Sequence, residues 1–265
     1  MSLTLTPLPN MPLIQPGDDL PGIINQSLQQ AGIVLQSGDI LVVTQKIVSK
    51  AEGRLVNLGT VIPSEEAQTL AQETEKDPRL VELILRESKA IVRCRPGLII
   101  VEHRLGFICA NAGIDHSNVQ PSVTSKSMGN FGSLLPEEWV LLLPQAPDRS
   151  ADKIRRGLET AWGVRLGVLI VDSHGRAWRT GAVGVTVGLS GLPGLVDLRG
   201  RPDLFGYNLR TTQVAASDEL ASAASLIMGQ AAEGTPVVHV RGFPYPLREA
   251  SLEELIRPKE MDLFR

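Results

Sequence analysis

Two short segments gather most of the side chains that could do chemistry. In Cys109-Ala110-Asn111-Ala112-Gly113-Ile114-Asp115-His116-Ser117-Asn118, a carboxylate and an amide stand three residues apart behind a run of small residues. Small side chains let a ligand approach the backbone, and Asp115 with Asn118 suits a metal-bound phosphate. An Asx-type turn closing a hairpin accounts for the same residues. In the second segment, the β-type apolar run over residues 164–171 ends in Asp172-Ser173-His174-Gly175-Arg176, a carboxylate beside a hydroxyl. Two carboxylates at buried strand ends, with Ser173 as a neutral oxygen donor, fit magnesium or manganese. Zinc would want His and Cys at close spacing, and no such pair occurs. Lys46 and Lys50 flank Ser49; on a helix both ammonium groups share one face and could hold a polyphosphate, whereas on a turn they are merely solvated. His116 and His174 read as hydrogen-bonding neighbours of these groups rather than as catalysts.

The elements that would carry these residues follow from periodicity and punctuation. Strands are expected at residues 3–8, 40–44, 139–143, 164–171 and 237–241, and helices at 20–30, 64–75 with Ser64 as N-cap, 78–88, 150–162 and 214–230. Residues 120–133 turn to Ser, Thr, Gly, Asn and Pro, which marks a surface loop and a junction near 120–150 between two subdomains. Gly181, Gly184, Gly188, Gly191 and Gly194 recur through a β-type segment, either for close approach to a ligand or for tight packing between elements. The mixture lacks a regular βαβ rhythm, so the expected class is α+β, with mixed, largely antiparallel sheets and flanking helices.

Composition narrows the function. With 265 residues, 43% of them hydrophobic, the chain can bury a sizeable core, and a net charge of -3 gives no footprint for nucleic acid. Cys94 and Cys109 do not make a disulfide scaffold. No signal sequence and no apolar run of about eighteen residues occurs, so a soluble, cytoplasmic protein without membrane partners is expected. P-loop, GxGxxG, GxSxG and HExxH patterns are absent, so any nucleotide site is of an uncommon type.

Pro12-Leu13-Ile14 with Gly17-Asp18-Asp19-Leu20, then Val48-Ser49-Lys50-Ala51-Glu52-Gly53-Arg54, the segment Asn111-Ala112-Gly113-Ile114-Asp115, and Asp172-Ser173 with Gly175-Arg176 occur in an order and spacing that resemble the coenzyme F420-0:L-glutamate ligase family. Asp218-Glu219-Leu220-Ala221 and Met228-Gly229-Gln230 extend the resemblance over nearly the whole chain, as one ligase unit. It implies condensation of L-glutamate onto the carboxylate of F420-0 with GTP cleaved to GDP and phosphate, through an acyl phosphate. It also implies a divalent cation, Mg2+ or Mn2+, with K+ a further candidate, and an intertwined homodimer. Carried over residue by residue, the nucleotide site falls on Met11, Pro12, Leu13, Ile14, Gln45, Lys46, Lys50, Asn118 and the segment from Gly206, Tyr207 and Asn208 to Gln213. The metal ligands fall on Asp115, Asp172, Ser173 and Gln213, with Asp115, Asp172 and Lys50 as the catalytic set. Many members carry Glu where Gln213 stands, and a neutral amide binds a cation less strongly. The loop at 120–133 could reshape the acceptor pocket, and the flavin-binding reductase-like domain found fused to some members is not expected in this chain. Two other readings fit the residues: a ligase of the same mechanism for another acidic acceptor, and a nucleotide-binding regulatory protein without turnover.

Overall fold

The computed structural model describes residues 2–119 and 138–264. Residues 120–137, which include the expected surface loop and much of the junction, lie outside the described residues. In chain order the elements are β1 (Thr4–Pro7), α1 (Leu20–Gln30), β2 (Ile40–Thr44), α2 (Gln45–Ala51), β3 (Leu55–Asn57), α3 (Glu65–Thr74), α4 (Pro78–Arg86), β4 (Ser88–Arg95), β5 (Leu98–His103), β6 (Ile108–Ala110), β7 (Trp139–Leu141), α5 (Pro147–Trp162), β8 (Gly167–Arg176), β9 (Arg179–Ser190), β10 (Val196–Asp197), β11 (Gln213–Val214), α6 (Ala216–Met228) and β12 (Val237–Arg241). The fold is α+β, and its sheets are largely antiparallel.

The main sheet has the order β1-β12-β2-β8-β9, with β2 and β8 paired in parallel at its centre. Both faces of these two strands are covered, which is why their sequences are continuous apolar runs rather than alternating ones. The period of two still decides what each residue touches. Leu41, Val43, Val168 and Ile170 pack against Ile24 and Leu28 of α1 and Ile154 and Leu158 of α5. Ile40, Val42, Leu169 and Val171 pack against Leu220, Ala221 and Ala224 of α6. Beside this body, α3 and α4 lie on the β4-β5-β6 sheet through Leu70, Val81, Ile84, Ile99 and Val101. Val140 of β7 joins Leu58 and Leu83 in an adjoining cluster.

Several expected boundaries move, each for a local reason. Helix α5 begins at Pro147 rather than residue 150, because proline suits the first helical turn, where its missing N–H costs nothing. Strand β8 begins at Gly167 rather than 164, since Arg165 N and Leu166 N are bonded to Ser37 Oγ and Glu159 Oε1. It also does not end at Asp172: pairing with β9 continues through Asp172↔Val185 and Ser173↔Gly184 to Arg176. Gly184 and Gly188 of β9 serve packing, whereas Gly181, with φ of 82°, has open space where a Cβ would stand. A Cβ on Gly184 would stand 2.5 Å from Ala221 O in α6, and one on Gly188 would stand 2.4 Å from Pro147 Cβ in α5. No helix among the described residues is long and apolar enough to cross a membrane.

Candidate active site

The parallel register Thr44↔Val171 places the C-terminal end of β2 beside the point where β8 leaves the core and runs on paired with β9 alone. From that edge β2 turns directly into α2 with Gln45 and Lys46, while β8 emerges from the core as Asp172 and Ser173. Carboxyl ends of neighbouring parallel strands are a common place for a ligand crevice. Here a cleft of about 970 Å3 opens there, lined by Met11 to Ile14, Thr44, Lys46, Lys50, Asp115, Asn118, Asp172 and Ser173. Its far wall is Ser225 and the small-residue loop 229–236.

Asp115 reaches the cleft on a loop that the backbone holds in an unusual conformation. Asn111, Ala112 and Gly113 have φ of 49°, 53° and 64°, three consecutive left-handed residues. For Ala112 this costs about 1–2 kcal/mol. A Cβ on Gly113 would meet Leu143 Cδ1 at 2.6 Å, so any other residue there would displace the Leu143 side chain, and glycine also takes the left-handed φ without strain. Asn111 Oδ1 accepts from Ile99 N at 3.1 Å, and the main chain of Asp115 exchanges two hydrogen bonds with Leu141 of β7, at 2.9 and 3.0 Å. The turn aims Asp115 at the cleft; the side-chain oxygens of Asn111 and Asp115 accept from the distant Ile99 N and Gln45 Nε2 rather than from the main chain two residues on, as an Asx turn would require.

The Asp115 carboxyl is pushed up to about 6, first by burial and then by the negative charge of Asp172, with Lys46 opposing. Lys46 Nζ lies 3.3 Å from Asp115 Oδ2 and donates to Ser117 O and Oγ at 3.0 and 2.8 Å. Gln45 Nε2 donates to the same Oδ2 at 2.7 Å. His174 Nε2 lies 2.9 Å from Asp172 Oδ2, and its ring leans on Phe107, centroids 5.5 Å apart. Ser173 Oγ donates to Gln230 Oε1 at 2.8 Å, and Asn118 Nδ2 to Ala231 O at 2.9 Å, which ties the far wall to β8 and to the loop that carries Asp115. The Lys50 ammonium has no hydrogen bond or ion pair among the described residues; burial, then the charge of Lys46, hold it below the ordinary value. An amine so placed is stabilised by an anion. Cys109 is pushed up to about 12 by burial and by Asp172, so its thiol is no nucleophile.

The donor set fits a hard divalent cation. Two mutually repelling carboxylates with a neighbouring hydroxyl, beside a cleft that can admit water and phosphate, match how Mg2+ is held by one or two carboxylates and completed by its ligands. Among the described residues no group of three or more His, Cys, Asp or Glu side chains converges, which speaks against an all-protein cage.

Not every residue of the carried-over set meets here. Met11, Pro12, Leu13, Ile14, Lys46, Lys50, Asn118, Asp115, Asp172 and Ser173 line the cleft, but Gln45 is fully buried behind Asp115. Gly206, Tyr207 and Asn208, on the arm between β10 and β11, and Gln213, the first residue of β11, lie outside it. Leu204 and Phe205 at the tip of that arm are 97% and 94% exposed. In the far wall, Gly229 and Gln230 fall within the resemblance; residues 231–236 carry no motif, and the small residues between Gly229 and Gly234 are their one signal in the sequence.

The sequence profile of the family described as F420-0:Gamma-glutamyl ligase matches residues 9–242. A protein of Methanothermobacter thermautotrophicus named Coenzyme F420:L-glutamate ligase is 46% identical over 267 residues, covering 100% of both chains. Proteins of the same name from Methanopyrus kandleri and Archaeoglobus fulgidus are 45% and 38% identical, over 100% of this chain and 98% and 97% of theirs.

Proposed function

Since the chain belongs to the F420-0:gamma-glutamyl ligase family, we propose that its cleft joins L-glutamate to the carboxylate of coenzyme F420-0 at the expense of GTP. The observation that carries this reading is the meeting of Asp115, Asp172 and Ser173 with Lys46 and the unpaired Lys50 at the exits of two parallel strands. A carboxylate does not condense with an amine unaided. Transfer of the γ-phosphoryl group of GTP to a carboxylate oxygen of F420-0 gives an acyl phosphate and GDP. The amine of glutamate, having lost its proton, then attacks the acyl carbon, and phosphate leaves with the C–O bond electrons. Such transfers rest on positioning and charge stabilisation rather than on a protein nucleophile, which agrees with the inert Cys109.

Lys46 and Lys50 neutralise phosphate oxygens, and Lys46 is steered by Asp115 and Ser117. Leu13, 77% exposed at the cleft mouth, and the adjoining Met11 offer apolar surface to a purine ring. A divalent cation held by Asp115, Asp172 and Ser173 would, when bound, neutralise the phosphate charge that these lysines leave uncompensated. In a homodimer the arm carrying Gly206 to Gln213 has a second cleft to complete, and this would also cover Leu204 and Phe205.

The test is incubation with F420-0, L-glutamate, GTP and Mn2+, reading product masses and GDP. Growth of F420-0 by glutamyl units in step with GDP formation is expected. GTP-independent addition, or addition only to a different acidic acceptor, would refute the proposal.

A further inference from the structure

Gln45 is 0% exposed, so it cannot serve as a surface contact of the cleft. Its Nε2 donates to Asp115 Oδ2 at 2.7 Å, and its Oε1 accepts from Ser49 Oγ, also 0% exposed, at 2.9 Å. The polarity of the amide is fixed by chemistry: turned over, its oxygen would face a carboxylate oxygen. Lys46 approaches the same Oδ2. One oxygen of Asp115 is thus held twice by the protein, while Oδ1 has no protein partner among the described residues. Water cannot replace either member of the relay, because both are sealed from solvent.

A carboxylate held this way can offer a single oxygen. Mg2+ and Mn2+ sites approach octahedral geometry, which the narrow bite of a two-oxygen carboxylate distorts, whereas Ca2+ accepts carboxylates in either mode. We propose that Gln45 and Ser49 are positioning residues that lock Asp115 as a one-oxygen ligand and so bias the cleft toward small divalent cations over Ca2+. This rests on the reading of Asp115 as a cation ligand.

The experiment measures Mn2+ binding to the full chain from the electron paramagnetic resonance of free Mn2+, alone and with Ca2+ as competitor. Gln45→Met keeps length and bulk but removes both hydrogen-bonding ends. It is expected to weaken Mn2+ binding about tenfold, as loss of an outer partner of a metal ligand commonly does, and to shift the Mn2+/Ca2+ preference toward Ca2+. Ser49→Ala should move both quantities the same way by less, and Ser49→Thr, which keeps the hydroxyl, should restore them. The serine pair decides the matter if Gln45→Met does not fold. A lower melting temperature with unchanged Mn2+ affinity and unchanged preference would mean a structural role only and overturn the proposal. Asp115→Asn separates the two readings. If it too binds Mn2+ like the parent, the ligand assignment fails and this inference with it; if it loses Mn2+ while the Gln45 and Ser49 variants do not, this inference alone fails.

Discussion

Replacing Glu87 by Gln should cost stability in a way that depends on pH, and should also reach the site. Glu87 follows α4, is buried, and faces three cationic or titratable groups: Arg54 Nη2 and Arg104 Nε at 2.8 Å each, and His103 Nε2 at 3.7 Å. Burial alone would raise its carboxyl, but the contacts from His103, Arg54 and Arg104 outweigh it and bring the value from 4.5 to about 2. A carboxyl depressed this far contributes about 3 kcal/mol at neutral pH. The sign follows from the folded value lying below the unfolded one: the contribution is complete above about pH 4.5 and is lost as pH falls toward 2. Glu87→Gln removes it and leaves Arg54 and Arg104 without their partner, so a loss of about 3–5 kcal/mol is expected at pH 7. Denaturant titrations of both proteins from pH 7 to pH 3 should show a gap that narrows below pH 4.5, because the contribution of Glu87 fades there while the other acids titrate in both proteins and cancel. A gap that is constant across pH, or under about 1 kcal/mol at pH 7, would refute the reasoning. Turnover should fall as well: Arg54 Nε donates to Leu143 O at 2.9 Å, two residues beyond the Leu141 that pairs with Asp115.

Three further outcomes are expected. Lys50→Ala should lower kcat/KM for the nucleotide at least about tenfold, on the order of 1.4 kcal/mol; unchanged kinetics would place Lys50 outside the phosphate site. Gln213→Glu should lower the Mn2+ concentration for half-maximal activity, because it adds a negative charge; an unmoved half-saturation point removes Gln213 from the cation site. Light scattering at micromolar concentration should give about twice the 28.6 kDa of one chain, and a monomer mass would exclude an arm shared between two clefts.

What the sequence revealed is mostly what one-dimensional periodicity encodes. The apolar runs of β2 and β8 announced buried strands, and Ser64 announced the start of α3, where its Oγ accepts from Ala67 N. Asp115 and Asp172 could be picked out because each is a charged residue following small or apolar ones. Three things depended on long-range geometry and were not legible. Gln45 precedes Lys46 directly, and only the turn into α2 decides that the lysine faces the cleft while the glutamine faces Asp115. The Glu87, Arg54, His103 and Arg104 cluster assembles from separate segments whose charges each look like ordinary surface charges. Gly184 and Gly188 of β9 are packing residues only because α6 and α5 lie across them.

The parallel pairing of β2 with β8 carries a consequence in time. Ile40 must find Gly167 across an intervening chain that contains α2 to α5, and this closure entropy has to be overcome before the pairing gives anything back. The helices and the β8–β9 hairpin form from near neighbours and should appear early. Both walls of the cleft depend on the late step. On refolding, helical ellipticity should therefore return ahead of nucleotide binding, and a chain stalled before β2 meets β8 would be helical, compact and inert.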